Sequence, residues 1–503
     1  MGVETVSTVI SLVPILTSVL LLLALRMPSH MVSVAVWALV GALCMLPTPF
    51  HMVWSQCADA MSYAFISALP IVTVLAFGAL LYQVLSCTGA IDVLARRVSS
   101  SFTDKVLSAL FISGALGTGF EWASGFGLGI VMVAPLYRRL GWSSAQIVQL
   151  SLLTQFWIPW GAYGASSMAT SELTGLPLGV LASDSALVAW PLAFLYLCLI
   201  AVIASGWKGI RGRWTIVLLS AAVMGTVTWA VSRWIEPTIA GGCAAVCLGA
   251  MLWCFTRAYP SDERIKDEAC EPELSMWRVV LPYAFVVFYL ATVDGIPGLH
   301  QRLAKWMTWS MRNHGVHVSF FLNPGLALFL ACLLAVALLG RGGHRWSLCV
   351  QSVRNTYRQI WRPILATVAF MATSSWMADS GMFHVLGSDL ARPGAVAVLL
   401  TSPVLAALGG FMVGTSTASN AMLAPLQVQM AHGSHLPITI LAVGQNVASA
   451  QTAYIAPSRI AFATSFVNEQ GKEGQYLRRL APWSLVAVGW VAFAEFLVWA
   501  WHV

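Results

Sequence analysis

The chain has 503 residues, 58% of them hydrophobic and only 9% charged. A soluble domain carries roughly 25% charged residues, so the composition excludes an ordinary water-soluble fold and predicts one integral membrane domain over residues 1–503. The net charge of +7 is no nucleic-acid signal, because most Lys and Arg stand between apolar stretches, where they set topology.

Spanning the bilayer core takes about 20 apolar residues. In chain order, apolar runs predict spans near 5–25, 31–48 and 62–86. The first run lacks a preceding basic region and reads as a span rather than a cleavable leader. Next comes an apolar segment, 106–136, interrupted at Gly117-Thr118-Gly119-Phe120-Glu121-Trp122-Ala123-Ser124-Gly125-Phe126-Gly127. Spans are then expected near 143–166, 186–206, 214–232, 238–256, 279–294, 318–340 and 363–378. A second interrupted segment, 394–431, carries Gly409-Gly410-Phe411-Met412-Val413-Gly414-Thr415-Ser416-Thr417-Ala418-Ser419-Asn420. Spans near 437–466 and 481–502 complete an all-α polytopic chain of about 12 transmembrane helices plus two broken hairpins. The 22 tryptophans suit interfacial belts against membrane lipid.

Loop charge orients these segments. Arg26 follows the first span, Arg96, Arg97 and Lys105 precede the first broken segment, and Arg138 and Arg139 follow it, so both ends of that segment are expected inside and it enters and returns as a hairpin. The loops near 49–60 and 167–184 contain no Lys or Arg and fit the outside. Lys208, Arg211, Arg213 and the run Arg341, Arg345, Arg354, Arg358 and Arg362 fit the inside. The 257–278 loop votes weakly, with four basic and six acidic residues, and Arg302, Lys305 and Arg312 conflict with their expected outside position. The second broken segment comes out with both ends outside, the loop with Lys472, Arg478 and Arg479 inside, and both termini external. Seven predicted spans separate the hairpins, an odd number, so the two point in opposite directions, as an inverted repeat requires. A shift of 290 residues places Gly119 on Gly409, Ala134-Pro135-Leu136 on Ala424-Pro425-Leu426, and Gln155 on Gln445. Repeats of about 60–210 and 320–503 are expected.

Interrupted helices in matching halves point to a secondary transporter's binding site. Glu121 is the key titratable group, because a carboxylate near the bilayer centre usually marks a pathway or a proton relay. It also suits a cap on a nearby helix N-terminus. Gly125 and Gly127 bracket the same break. Thr415, Ser416, Thr417, Ser419 and Asn420 offer hydroxyls, an amide and freed backbone N–H groups suited to an anionic carboxylate, or ordinary interhelical hydrogen bonds. Arg459 follows a further break, Ile455-Ala456-Pro457-Ser458. It has three open readings: clamping a substrate carboxylate, neutralising Glu121, or snorkelling to the interface. Gln155, Gln445 and Asn446 either line the path or bond neighbouring helices. Glu495, in the last span, has no assigned role. The ten cysteines form no C-x-x-C pair and read as small buried hydrophobes. His432 and His435 lack neighbouring ligands for a metal. No cofactor is expected.

At these residues the chain resembles the L-lactate permease family. Glu121-Trp122-Ala123-Ser124-Gly125-Phe126-Gly127-Leu128-Gly129 is similar to the family's E-G-x-x-G-F-G-x-P. Gly414-Thr415-Ser416-Thr417-Ala418-Ser419-Asn420-Ala421-Met422-Leu423, followed by Pro425-Leu426-Gln427, is similar to G-S-[DN]-T-S-S-N-x-L-F. Ile455-Ala456-Pro457 and Gly471-Lys472-Glu473-Gly474 with Leu477-Arg478 are further matches. The resemblance covers most of 100–180 and 400–480, and it implies a proton-coupled symporter of lactate, glycolate and similar 2-hydroxymonocarboxylates in a bacterial inner membrane. It sets no oligomeric state. Trp122 stands where the family has glycine, Gly129 where it has proline, Ser416 where it has Asp or Asn, and Arg459 where it has a small polar residue.

Two other readings belong beside it. Sodium-coupled uptake of another small organic anion uses the same unwound backbone and hydroxyl oxygens. A membrane enzyme or sensor would need features that are absent: there is no H-E-x-x-H, no G-x-S-x-G and no attached soluble domain.

Overall fold

The computed structural model describes residues 2–502 except 26, 91–103, 126, 259–275, 296, 304, 306–307, 312–315 and 341–344. The expectations that rest on Arg26, Arg96, Arg97, the 259–275 loop, Arg312 and Arg341 lie outside those residues. The described chain is helical almost throughout. Helices α1 (Gly2–Val19), α2 (Ser29–Met45) and α3 (Trp54–Cys87) lead to the first hairpin, α4 (Lys105–Ser124) and α5 (Leu128–Arg139). Then follow α6 (Ser144–Leu152), α7 (Gly161–Thr174), α8 (Leu178–Gly209), α9 (Trp214–Trp234), α10 (Pro237–Ala258), α11 (Met276–Gly295) and α12 (Pro297–Leu303). A small antiparallel pair, β1 (Thr308–Met311) and β2 (Val316–Ser319), precedes α13 (Pro324–Leu339) and α14 (Arg345–Asp379). The chain closes with α15 (Met382–Ala391), the second hairpin α16 (Ala395–Val413) and α17 (Ser416–Gly433), then α18 (Ile438–Ala453), α19 (Pro457–Ser465) and α20 (Glu473–His502).

Local chemistry sets the boundaries. The Asp104 side chain accepts from the Val106 and Leu107 amides at 2.9 and 3.0 Å and starts α4, while its other oxygen pairs with Arg213 at 2.6 Å. Ser143 and Gln146 form a reciprocal cap on α6. Asn323 caps α13 ahead of Pro324. Among the described residues, seven helices are long and apolar enough to cross a membrane, and shorter apolar helices accompany them. Large side chains such as Leu218, Phe288 and Leu485 stay exposed on the flanks, where lipid rather than water would meet them. The described chain is thus an all-α polytopic membrane fold, with one short strand pair beyond what periodicity predicts.

Two predicted spans and one basic run change character. The expected continuous span 143–166 is broken: α6 stops at Leu152, tight turns follow at Leu153–Gln155 and Ile158–Trp160, and α7 begins only at Gly161. Pro159, Gly161 and Gly164 lie inside that run and interrupt the helical hydrogen bonding. The basic run from Arg345 to Arg362 is not a loop but the first half of α14. The span near 318–340 begins as strand, and its helix starts at Pro324.

Element order recurs between the halves. A hairpin (α4–α5), a broken helix (α6–α7) and a long helix (α8) are followed later by a hairpin (α16–α17), a broken helix (α18–α19) and a long helix (α20). The offset of 290 residues that aligns the motifs also carries Lys105, the first residue of α4, onto Ala395, the first of α16.

Candidate functional site

The first hairpin turns at Gly125 and Gly127, whose φ of +68° and +88° are open to glycine at little cost. Above this turn α4 widens into π-helical turns over Leu110–Gly117, a distortion frequent at functional sites. Glu121 is buried, and its side chain folds back across the turn. Oε1 accepts from the Gly127 amide at 3.1 Å and Oε2 from the Gly129 amide at 3.2 Å. The carboxyl therefore caps the N-terminus of α5, where unsatisfied N–H groups and the helix dipole favour an anion.

The second hairpin turns at Gly414, with φ +73°. Arg459, at the start of α19, lies between the two turns. Its Nε donates to the Gly414 carbonyl at 2.8 Å, and its Nη1 lies 2.5 Å from where a Cβ on Gly127 would be. The side chain is buried, with 9% exposure, which is not the posture of a snorkelling arginine. It makes no direct ion pair with Glu121, although both side chains approach Gly127.

The broken helix α6–α7 adds a third irregular backbone. Ala162, Tyr163 and Gly164 all have positive φ, at 48°, 52° and 74°. Such a run costs of order 1–3 kcal/mol for each non-glycine residue and persists only where packing over-determines it. Tyr163 supplies that packing: its ring lies 4.6 Å from the Trp122 ring and fills the space over Gly78. Trp122 in turn donates its indole N–H to the Thr238 carbonyl at 2.8 Å. The bulky residue that departs from the family motif thus fits against α7 and α10.

Beyond this break lies a buried polar network. Ser166 of α7 shares a 2.6 Å hydrogen bond with Ser416, and Ser416 a 2.7 Å bond with Ser449. Asn420 Nδ2 donates to Ser166 Oγ at 2.9 Å and to Asn446 Oδ1 at 3.1 Å. Asn420 Oδ1 accepts from Ser449 at 2.8 Å and from Gln445 Nε2 at 3.1 Å. Gln427 Nε2 donates to Gln445 Oε1 at 3.0 Å. Asn446 Nδ2 reaches Ser167 and Ser185 at 3.0 and 3.1 Å. The network joins α7 and α8 of the first half to α17 and α18 of the second.

Of the residues singled out by sequence, Ser416, Asn420, Gln445 and Asn446 meet in this network. Glu121, Gly127 and Arg459 meet at the two turns, while Gly125 packs on Ala162. Ser419 is buried against Gly409 with its hydroxyl unpartnered, and Gln155 is fully buried with neither amide atom partnered. The Thr415 and Thr417 hydroxyls stand outside the network, Thr415 as the extended residue before α17. Ser166, Ser167, Ser185 and Ser449 escape sequence reading, since a lone serine on an apolar helix carries no distinguishing pattern. Among the described residues no His, Cys, Asp and Glu group could hold a metal ion.

The L-lactate permease family profile matches residues 7–305 and 276–499. The chain belongs to the L-lactate permease family. Relatives include the glycolate permease GlcA of Escherichia coli, 23% identical over 97% of this chain and 94% of its own length. The L-lactate permease of Salmonella typhimurium is 23% identical over 99% and 97% of the two chains, and that of Bacillus subtilis 24% identical over 86% of each. In three dimensions the permease is similar to the YdaH transporter of Alcanivorax borkumensis, described as having an unusual topology. The TM-score is 0.51 at 15% identity, covering 97% of this chain and 99% of that one. This likeness concerns the fold alone. Family and fold together make the protein a multi-pass membrane permease, not an enzyme.

Proposed function

We propose that this permease carries L-lactate and related 2-hydroxymonocarboxylates, D-lactate and glycolate, across the bacterial inner membrane together with protons. The observation that carries the reading is the position of Arg459, a buried cation held between the turns of two helical hairpins with a carboxylate, Glu121, across one of them. A substrate carboxylate fits the N-terminus of α17, where Thr415, Ser416 and Thr417 begin the helix and Arg459 bonds the preceding carbonyl. Ser416, Ser419 and Asn420 provide donors and acceptors for a 2-hydroxyl group, with Gln445 behind them. Gln155, with unpartnered amide atoms, lines the path from the first break.

Glu121 would couple the proton. Protonation removes one negative charge facing the α5 amides and Arg459, which weakens both N–H···O bonds and loosens the Gly125–Gly127 turn. A carboxylate moving with one proton is electroneutral. The same reading takes the two halves as inverted repeats with oppositely directed hairpins and both termini periplasmic. Uptake of labelled L-lactate into proteoliposomes of the purified protein tests the substrate assignment. Saturable uptake, with competition by D-lactate and glycolate, is expected. Uptake no greater than in empty vesicles, with another organic anion carried instead, overturns it.

A further inference from the structure

One carboxyl in the permease has no role in the site above. Glu495 of α20 is 3% exposed, and neither of its oxygens has a hydrogen-bond partner among the described residues. Its place is made by a glycine: the position a Cβ would take on Gly444 of α18 is already occupied by Glu495 Oε1. α20 packs against α16, α18, α19, α8 and α6. Helices α16, α18 and α6 contain no titratable residue at all. α19 carries only Arg459, which is committed to the Gly414 carbonyl. α8 carries Asp184, Tyr196, Cys198 and Lys208; the Tyr196 ring meets Tyr454, whose hydroxyl bonds Ser484, three turns before Glu495 on α20. On α20 itself, Glu473, Tyr476, Arg478 and Arg479 lie at the far end, and His502 lies two turns beyond.

A carboxylate ion in such surroundings has neither counter-charge nor donor, and ionising it there would cost several kcal/mol. The described conformation is one that holds the neutral acid. Glu121 is the opposite case, with both oxygens on backbone N–H groups. Glu495 is also well placed to be felt elsewhere. The residue after Gly444 is Gln445, which donates to Asn420 and accepts from Gln427. A shift of α18 that solvates or pairs an ionised Glu495 would therefore move the amide at the centre of the polar network. Seven residues separate Glu495 from His502, about 10 Å of helix, so water need enter only about two turns to reach it.

We propose that Glu495 is a second proton-binding carboxyl, which takes up and releases a proton near the C-terminal end of α20 and passes its state to the polar network through Gly444 and Gln445. The coupling half of this proposal rests on the proton-symport reading; the proton-binding half does not.

Infrared difference spectra of the purified permease in lipid, stepped from acid to alkaline pH without substrate, test the proton-binding half. A neutral-acid carbonyl band that fades as pH rises, is absent from Glu495→Gln and persists in Glu121→Gln is expected. Spectra from which Glu495→Gln removes no component, or a removed component that never titrates, overturn the proposal. Should the amide disturb folding, Glu495→Met gives the same comparison without a buried polar group. In proteoliposomes, Glu495→Gln should exchange L-lactate within about twofold of the unsubstituted protein, yet lose about tenfold in accumulation driven by one pH unit. Undiminished accumulation refutes the coupling role. If the unsubstituted protein carries no L-lactate at all, the functional reading falls while the infrared titration still decides Glu495.

Discussion

Glu121 engages a backbone N–H with each carboxyl oxygen, so Glu121→Gln sets an NH2 group against one of those donors. A buried donor left unsatisfied costs about 1–3 kcal/mol, and the thermal midpoint of Glu121→Gln should drop accordingly. The variant should also lose accumulation of substrate against a gradient while keeping some exchange; full accumulation by it would remove the residue from the coupling path. At Gly444 the constraint is steric. Gly444→Ala should destabilise by about 1–3 kcal/mol, as overpacking does, and adding Glu495→Ala should restore most of the loss. Melting curves of the two single variants and the double variant, beside the unsubstituted protein, check this, and simple additivity would show that the two residues do not share the space. Sequence alone singles out Glu121 because a lone carboxylate between glycines in an apolar run is conspicuous. It leaves Arg459 with three readings, since burial and the Gly414 carbonyl are facts of packing. It misses Ser166, Ser185 and Ser449, whose meaning arises only when α7, α8 and α18 converge.

At the scale of elements, the hairpins are legible because glycines inside apolar runs permit a turn, and the predicted 106–136 and 394–431 coincide with α4–α5 and α16–α17. The break between α6 and α7 is not, because its turns come from a left-handed run that includes Ala162 and Tyr163, residue types that rarely adopt it. Close packing of the second hairpin on α18 depends on Gly410, where an added Cβ would collide with the Ser449 carbonyl. Gly410→Ala should therefore separate α16 from α18, disturb the Ser449–Asn420 contact and abolish substrate binding in a thermal-shift assay; ligand stabilisation equal to that of the unsubstituted protein would contradict the packing account. The loop between α19 and α20 has a pH response of its own. Lys472 pairs with Glu469 at 2.8 Å and holds its carboxyl below the usual carboxylate range. A depressed folded-state value means the contribution is present above the unfolded value and is lost as pH falls through the folded one. Hydrogen-exchange protection of residues 466–472 should fall at acid pH before that of α18 does; equal sensitivity would show that the pair does not order the loop.

For the whole molecule, composition alone decides that the chain lives in a membrane, and the order of hairpin, broken helix and long helix recurs across the halves. The opposed orientation of the halves remains a proposal drawn from loop charge. Single cysteines placed near each terminus of a cysteine-free variant should both react with an impermeant thiol reagent from the outside of intact cells; labelling of one terminus alone would contradict the inverted-repeat topology. In the proposed symport, substrate carboxylate and proton cross together. Accumulation of labelled L-lactate in proteoliposomes, with an acid-outside pH step imposed in sodium-free buffer and with sodium added at equal pH, is the decisive measurement. One-to-one symport gives accumulation of up to about tenfold per pH unit, unchanged by sodium. Uptake that ignores the pH step, or that follows sodium instead, would contradict it.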